Sequence, residues 1–258
     1  RLKGLGNSLI NMSRINLFMT VAFDGSGDYL NLGTSFQSTI RGNFTIMGWV
    51  NFDDQTPGTD QLIFGSINSS SEDKIYGGLL NTGAWYFYFE SNNDVANVAT
   101  IASGFSGNTA SGWYHFACRA INNGGSNATD MSIYVNGVLK HAVTVGLTGT
   151  NHAAFTTSDN LWIGGANLGT TAVISPLTGK MNDFAIFSSA LDTANILKIY
   201  NNGSPFDLTS DNGTYNTSGD LVGYWKMEEG QGTTVADSST NSNTASFGGN
   251  PQWAFSTP

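Results

Sequence analysis

Apolar residues along the chain occur in short runs that are separated by Gly, Asn, Asp and Ser. Short runs rich in β-branched and aromatic residues, bounded by turn-forming residues, are typical of β-strands. The strands predicted in this way are residues 19–23, 29–32, 44–52, 61–67, 84–90, 112–120, 131–143, 160–165, 180–187 and 221–227. Many short strands at this spacing indicate a sandwich or barrel rather than alternating β-α-β units.

A tight hairpin is predicted at Asn136-Gly137. The pair lies between the apolar runs 133–135 and 138–139, and both residues tolerate the positive φ angles of a two-residue turn. This signal supports antiparallel neighbours in the sheet.

One short helix is predicted before the last strand. Asp192 can cap its N-terminus, and Ile196, Ile199 and Tyr200 recur at helical spacing. Gly203 can end it.

The stretch FDGSGDYLNLG near the start of the chain places Asp24 and Asp28 four residues apart among glycines. A calcium loop of the EF-hand type needs glycine at its sixth position and a bidentate glutamate at its twelfth. Those positions hold Tyr29 and Ser35, and the flanking residues are strand-forming rather than helical. We therefore interpret the stretch as a turn and expect residues 21–32 to form a hairpin.

Six motifs stand in order along the chain: FDGSGDYLNLG, FTIMGWV, GWYHFACRA, SIYVNGVLK, LWIGGAN and GKMNDFAIFSSALDTANI. Together they resemble the laminin-G-like jelly rolls of the concanavalin A-like lectin/glucanase superfamily, over residues 21–200. The resemblance implies an all-β, two-sheet antiparallel jelly-roll sandwich with a concave outer face, to which the pattern adds one short helix.

A last motif, LVGYWKMEEGQGTTVADSSTNSNTA at 221–245, also resembles this family, in which it commonly stands at the beginning of the domain. Chain termini often lie close together, so such a permutation is physically feasible. We expect residues 205–258 to complete one jelly-roll domain over 21–258, after an N-terminal arm of residues 1–20. The alternative is a truncated second repeat, although about 50 residues with few apolar side chains would form a marginal core.

The composition argues against nucleic acid and membrane as partners. The formal charge is −9, only 11% of residues are charged and no basic stripe is present. Nucleic-acid binding depends on Lys and Arg that neutralise phosphates, so no nucleic acid is expected. No apolar run approaches the ~20 residues of a membrane-spanning helix, so no membrane insertion is expected. The single cysteine, Cys118, excludes an internal disulfide and is expected to be buried in a strand.

The carboxylates argue against catalysis. The resemblance implies that glycosidases of this superfamily carry alternating Glu and Asp residues on one strand, and glycoside hydrolysis requires a pair of such groups. The glutamates here are Glu72, Glu90, Glu228 and Glu229. No predicted strand carries paired carboxylates on one face, so we expect a non-catalytic protein rather than a glycoside hydrolase.

A candidate calcium site lies in an oxygen-rich loop after a predicted strand. Its ligands would be Asp237, Asn241 and Asn243, with Asp183 as a further carboxylate, because calcium prefers several oxygen ligands. The resemblance implies calcium at the rim of the sandwich. The family often has Asp-Glu where this chain has Asn182-Asp183, so one carboxylate is lost, and a solvated Asn/Ser turn is the alternative.

The strand AWYFYFE carries the candidate carbohydrate site. A two-residue period places Trp85, Phe87 and Phe89 on one face, which we expect to be the core. Tyr86, Tyr88 and Glu90 face the other way, where the tyrosines would form a platform on which a sugar ring can stack and hydrogen-bond. The alternative is that loops or a neighbouring subunit cover these tyrosines.

Residues 1–18 are basic and rich in leucine and isoleucine, with no acidic residue before Asp24. Scattered large apolar side chains need a cover, so we expect this segment to contact another chain of an assembly. A disordered terminus is the alternative.

Two functions of different classes remain open. One is a non-catalytic attachment protein whose lectin-like sandwich binds glycans or cell-surface polysaccharide. The other is a purely structural decoration protein of an assembly, with no glycan binding. The Asn/Gly/Ser-rich, lysine-poor sequence resembles domains of virion and phage surface proteins and of secreted adhesins, which implies an extracellular or virion-surface location.

Overall fold

The computed structural model describes residues 19–68, 73–90, 98–102, 112–123, 128–146, 160–167, 172–256 and 258. Two short α-helices lie in these ranges, α1 (Gln37–Ile40) and α2 (Thr193–Tyr200), with 3₁₀ turns at Asn201–Gly203 and Ser218–Asp220. The strands are β1 (Met19–Asp24), β2 (Tyr29–Asn31), β3 (Phe44–Phe52), β4 (Gln61–Ile67), β5 (Lys74–Leu79), β6 (Trp85–Glu90), β7 (Val98–Ala102), β8 (Trp113–Asn122), β9 (Ala128–Val135), β10 (Val138–Gly146), β11 (Trp162–Ile163), β12 (Ala166–Asn167), β13 (Val173–Ile174), β14 (Thr178–Phe187), β15 (Leu221–Trp225), β16 (Thr234–Val235), β17 (Ala245–Gly248) and β18 (Gln252–Phe255).

The first sheet has the strand order β10-β9-β8-β3-β14-β1-β18. The long strand β14 takes two partners in succession along one edge. Val21 of β1 lies opposite Met181, and Trp225 of β15 lies opposite Phe184. Two strands from the C-terminal quarter, β15 and β18, therefore pair within this sheet.

The second sheet has the order β16-β17-β2-β11-β4-β5-β6-β7, with β12 and β13 paired beside β4. Its pairings are antiparallel in the described residues except for the single pairing of Asn167 with Ser66. The predicted all-β sandwich of two antiparallel sheets is confirmed.

The expected hairpin at residues 21–32 is wrong, although the turn between the strands is present. β1 pairs with β14 and β18 in the first sheet, whereas β2 pairs with β11 and β17 in the second. The chain therefore crosses between sheets at the Asp24–Asp28 loop. Phe23 and Leu30 then enter the same core from opposite sides, each with at most 3% of its surface exposed.

The local turn and cap predictions are confirmed. Asn136 and Gly137 join β9 to β10 with φ angles of 51° and 73°. The Asp192 side chain accepts a hydrogen bond of 2.7 Å from the Asn195 N–H at the start of α2. The helix ends before the predicted Gly203, because Asn201 already adopts the left-handed conformation after Tyr200.

A second apolar layer covers the outer face of the first sheet. Tyr134, Phe187 and Tyr224 of that sheet pack against α2 and the segment after it, which contributes Ile196 and Tyr215. This face is therefore closed to a large ligand.

None of the described helices is long and apolar enough to cross a membrane.

Hydrogen bonds to Asp28 hold the Asp24–Asp28 loop in place. Its carboxylate is 3% exposed and accepts hydrogen bonds from the backbone N–H groups of Asp24, at 3.1 Å, and Asn250, at 2.7 Å. Asp24 is exposed and accepts one bond, from the Ser26 N–H. The buried carboxylate thus ties the loop to the C-terminal segment.

Replacing Asp28 with Ala should lower the free energy of unfolding by about 3 kcal/mol, because two backbone donors lose a charged acceptor. Thermal denaturation should show a melting temperature lower by about 6–12 °C. Asp24→Ala is the matched control and should cost less than about 1 kcal/mol. Equal losses in both variants would contradict the assigned role of Asp28.

Candidate functional site

The outer face of the second sheet carries a group of tyrosines on two adjacent strands. On β6 the alternation is as predicted: Trp85, Phe87 and Phe89 lie in the core, and Tyr86 and Tyr88 point away from it. The register of β5 against β6 adds Tyr76, which lies directly opposite Tyr88.

The three tyrosine rings form one platform. Tyr76 and Tyr88 are stacked with centroids 4.6 Å apart and an interplanar angle of 3°. Tyr86 meets Tyr76 edge-on at 5.8 Å. Tyr86 is largely buried, whereas Tyr76 and Tyr88 are half-buried. Cross-strand packing thus holds the rings in place before any ligand arrives.

These tyrosines line a cleft of about 470 Å³, the tyrosine cleft. Its other walls are apolar at Leu62, Leu80 and Ile174, and polar at Asp60 and Lys74. This volume lies within the usual range for small-molecule sites, about 300–1,000 Å³. The cleft combines ring faces with a few polar groups, as sites for small ligands usually do.

Glu90 organises the polar end of the platform. One of its carboxylate oxygens, Oε2, accepts from the Lys74 ammonium and from the Tyr88 hydroxyl, each at 2.8 Å. The Glu90 side chain is 4% exposed and that of Lys74 is 27% exposed. Burial favours such pairing, because an unpartnered buried carboxylate would be costly.

Burial and nearby carboxylates keep the tyrosine hydroxyls protonated. Burial, followed by the charges of Glu90 and Asp60, raises the pKa of Tyr76 to about 12. Burial and the charge of Asp60 also raise the pKa of Tyr86. Neutral phenols donate hydrogen bonds, so the platform offers hydroxyl donors together with ring faces.

The sequence analysis did not assign Tyr76, Lys74 or Asp60 to a site, although their ring and charges shape the cleft. β5 was not predicted as a strand, because its glycines interrupt the run KIYGGL. The alternation of Ile75, Gly77 and Leu79 towards the core was the signal that could have identified it.

The loop of the predicted calcium ligands is held by protein hydrogen bonds. The Asp237 carboxylate accepts from the N–H groups of Tyr224, Ser239 and Asn243, each at 2.8 Å, and from the Ser239 hydroxyl at 2.9 Å. The Asn241 side-chain amide donates to the Val222 carbonyl. Asp237, Asn241 and Asn243 are therefore together, but the carboxylate is already surrounded by donors.

Asp183 does not join that loop. It is buried and accepts a short hydrogen bond from the Tyr224 hydroxyl, whereas Asp237 binds the backbone N–H of the same tyrosine. Burial raises the pKa of Asp183 to about 7. Within the described ranges, no group of three or more His, Cys, Asp or Glu side chains is placed to hold a metal ion.

Two further ionisable side chains, His115 and Cys118, are packed in the interior. Burial lowers the pKa of His115 to about 3, so the ring is neutral. Cys118 is a buried thiol in β8, as predicted, and burial raises its pKa.

A protein-family model described as the concanavalin A-like lectin/glucanases superfamily, of the laminin G type, matches residues 24–197. No curated protein matches the chain in sequence.

Solved structures show the same fold at low sequence identity. A candidate carbohydrate binding protein from Bacteroides ovatus superposes with a TM-score of 0.58 at 16% identity, over 93% of this chain and 60% of its own. A heptameric SAP-like pentraxin from Limulus polyphemus gives 0.58 at 14% identity, over 93% and 96%. The CBM40 module of a Ruminococcus gnavus sialidase, bound to α2,6 sialyllactose, gives 0.55 at 12% identity, over 71% and 98%.

The family match spans most of the chain, and the two packed antiparallel sheets agree with it. The chain is a member of the concanavalin A-like lectin/glucanases superfamily, of the laminin G type.

Proposed function

We propose that this protein is a non-catalytic surface or attachment protein that binds a glycan in the tyrosine cleft. The observation that carries the proposal is the preformed platform of Tyr76, Tyr86 and Tyr88 in a cleft of about 470 Å³. Sugar rings present one apolar face and a rim of hydroxyls, which match tyrosine faces and hydroxyls. The carbohydrate-binding proteins among the similar structures support this ligand class.

The hydrogen bonds of Glu90 and Asp60 support a non-catalytic function. Glycoside hydrolysis requires one carboxyl group to protonate the leaving oxygen and a second to attack or activate water. Glu90 is paired with Lys74 and Tyr88, and Asp60 accepts the Asn81 N–H at 2.8 Å. Both carboxylates have positioning roles in this arrangement.

An assembly role is the second part of the proposal, with an extracellular or virion-surface location. Residues 1–18 lie outside the described residues, and β1 begins at Met19, opposite Phe255 of the edge strand β18. Phe255 is 69% exposed. This exposed ring lies opposite the first residue after the arm, and we propose that another chain of a virion or extracellular assembly binds at this corner of the first sheet.

Replacing Tyr76 or Tyr88 with Ala should weaken glycan binding at least about tenfold, because each change removes one ring of the stacked pair. The double variant Tyr86→Ala, Tyr88→Ala should abolish binding on a glycan array. Tyr200→Ala, on the far side of the first sheet, is the control and should bind normally. A wild-type protein that is silent across the array would favour the purely structural function, and release of hydrolysis products would contradict the non-catalytic assignment.

Deleting residues 1–18 leaves every strand of the described residues complete, so we expect the far-UV circular dichroism and melting temperature to stay nearly unchanged. Assembly, measured as the mass of the native complex, should be lost. A full-length variant with Leu5, Leu9 and Ile10 replaced by Ser keeps the length and charge of the arm and should also fail to assemble. Unfolding of the truncated chain would identify the arm as part of the domain and remove support for the assembly role.

Calcium at the Asp237 loop stays a prediction. If calcium binds, the melting temperature should rise with its concentration as RT ln(1 + [L]/Kd), and Asp237→Ala should abolish the rise. The hydrogen bonds of Asp237 also predict that this variant loses about 2 kcal/mol of stability in chelator alone. Asp237→Asn retains an acceptor and should lose less. Equal wild-type melting temperatures in millimolar calcium and in chelator would exclude the calcium role.

A further inference from the structure

We infer that the tyrosine cleft selects uncharged saccharides and rejects anionic ones, and that the Lys74–Glu90 ion pair sets this preference. The inference rests on the proposed function, since it names the ligand class of the same cleft.

Positive charge is scarce around the cleft. Lys74 is the one cationic side chain that lines it among the described residues. The sequence extends this to the neighbouring segments, because no Lys or Arg occurs at positions 42–73, 75–118 or 141–179. Apart from Lys74 itself, these ranges include β4 to β7 and the connections between them. Unless a cation of residues 1–18 reached the cleft, an anionic sugar would therefore depend on Lys74 for its counter-charge.

Lys74 is already engaged. Its ammonium lies 2.8 Å from Glu90 Oε2, and the same oxygen accepts the Tyr88 hydroxyl. Turning Lys74 towards the carboxylate of a ligand would leave Glu90, which is 4% exposed, without its counter-charge. Breaking a buried pair in this way is strongly unfavourable.

The remaining charge at the cleft is negative. Asp60 lines the cleft, and Glu90 is bonded to Lys74 and Tyr88 of its wall, so the formal charges of Asp60, Glu90 and Lys74 sum to −1. Asp60 lies near enough to raise the pKa of both Tyr76 and Tyr86. The cleft therefore repels a sialic acid or uronic acid carboxylate, while Asp60 can accept hydrogen bonds from the hydroxyl groups of an uncharged sugar.

The first experiment compares uncharged oligosaccharides with their sialylated or uronic acid counterparts on one glycan array, followed by calorimetry on matched pairs such as lactose and α2,6 sialyllactose. We expect binding among the uncharged members and affinities at least about tenfold weaker for the anionic partners. Equal or tighter binding of the anionic partners would overturn the selectivity while leaving the proposed function intact. No binding by any glycan would instead overturn the proposed function, and the inference with it.

The second experiment tests the ion pair itself. Glu90→Gln keeps an acceptor for the Tyr88 hydroxyl but leaves the Lys74 ammonium without a carboxylate. The ratio of anionic to uncharged affinity should rise about tenfold, which is the effect of one hydrogen bond to a charged group. The double variant Lys74→Met, Glu90→Gln lacks the cation and should lose that gain. A ratio that stays at the wild-type value in Glu90→Gln would overturn the role of the pair.

If circular dichroism shows that Glu90→Gln fails to fold, Asp60→Asn provides a second test of the charge preference. Asp60 is only half-buried, and the amide oxygen can still accept the Asn81 N–H. This variant should raise the same affinity ratio, and higher salt should reduce the gain because screening weakens partly exposed charges. An unchanged ratio in Asp60→Asn would contradict the electrostatic selection.

Discussion

Aromatic packing between the two sheets is the interaction on which the rest of the molecule depends. Phe64 of the second sheet stacks with Phe116 of the first at 6.3 Å, and Phe87 packs beside Phe64 at 6.5 Å. Side chains alternate along a strand, so burying Phe87 and its neighbours obliges Tyr86 and Tyr88 to face outward. The core therefore determines the position and the orientation of the ligand platform.

The two outer faces of the sandwich then have different roles. The first sheet is covered by α2 and the segment that follows, so its outer side chains form a second apolar layer around Phe187 and Tyr224. The second sheet keeps a cleft, because among the described residues it is flanked at one side only by the short strands β12 and β13. A large ligand has access to the tyrosines for this reason.

Asp28 and Asp237 differ from Glu90 in the partners of their carboxylates. Asp28 and Asp237 accept mainly backbone N–H groups. Asp28 joins the Asp24–Asp28 loop to Asn250, and Asp237 joins its own loop to Tyr224. Glu90 accepts hydrogen bonds from the side chains of Lys74 and Tyr88, which line the cleft. Carboxylates bonded to the backbone hold the fold, whereas Glu90 adjusts the charge that a ligand meets.

Local sequence was sufficient for features that depend on neighbouring residues. Most of the long strands, the Asn136-Gly137 turn, the Asp192 cap and the two faces of β6 were predicted, because φ preference, capping and alternation act over a few residues. Pairing between strands could not be derived in this way. β1 and β2 are adjacent in sequence and would suit a hairpin, yet contacts with β14 and β17 place them in different sheets. The tertiary structure alone brought Tyr76, Lys74 and Asp60 to Tyr88 and Glu90, because cross-strand register and the burial of charge arise only when distant strands pack together.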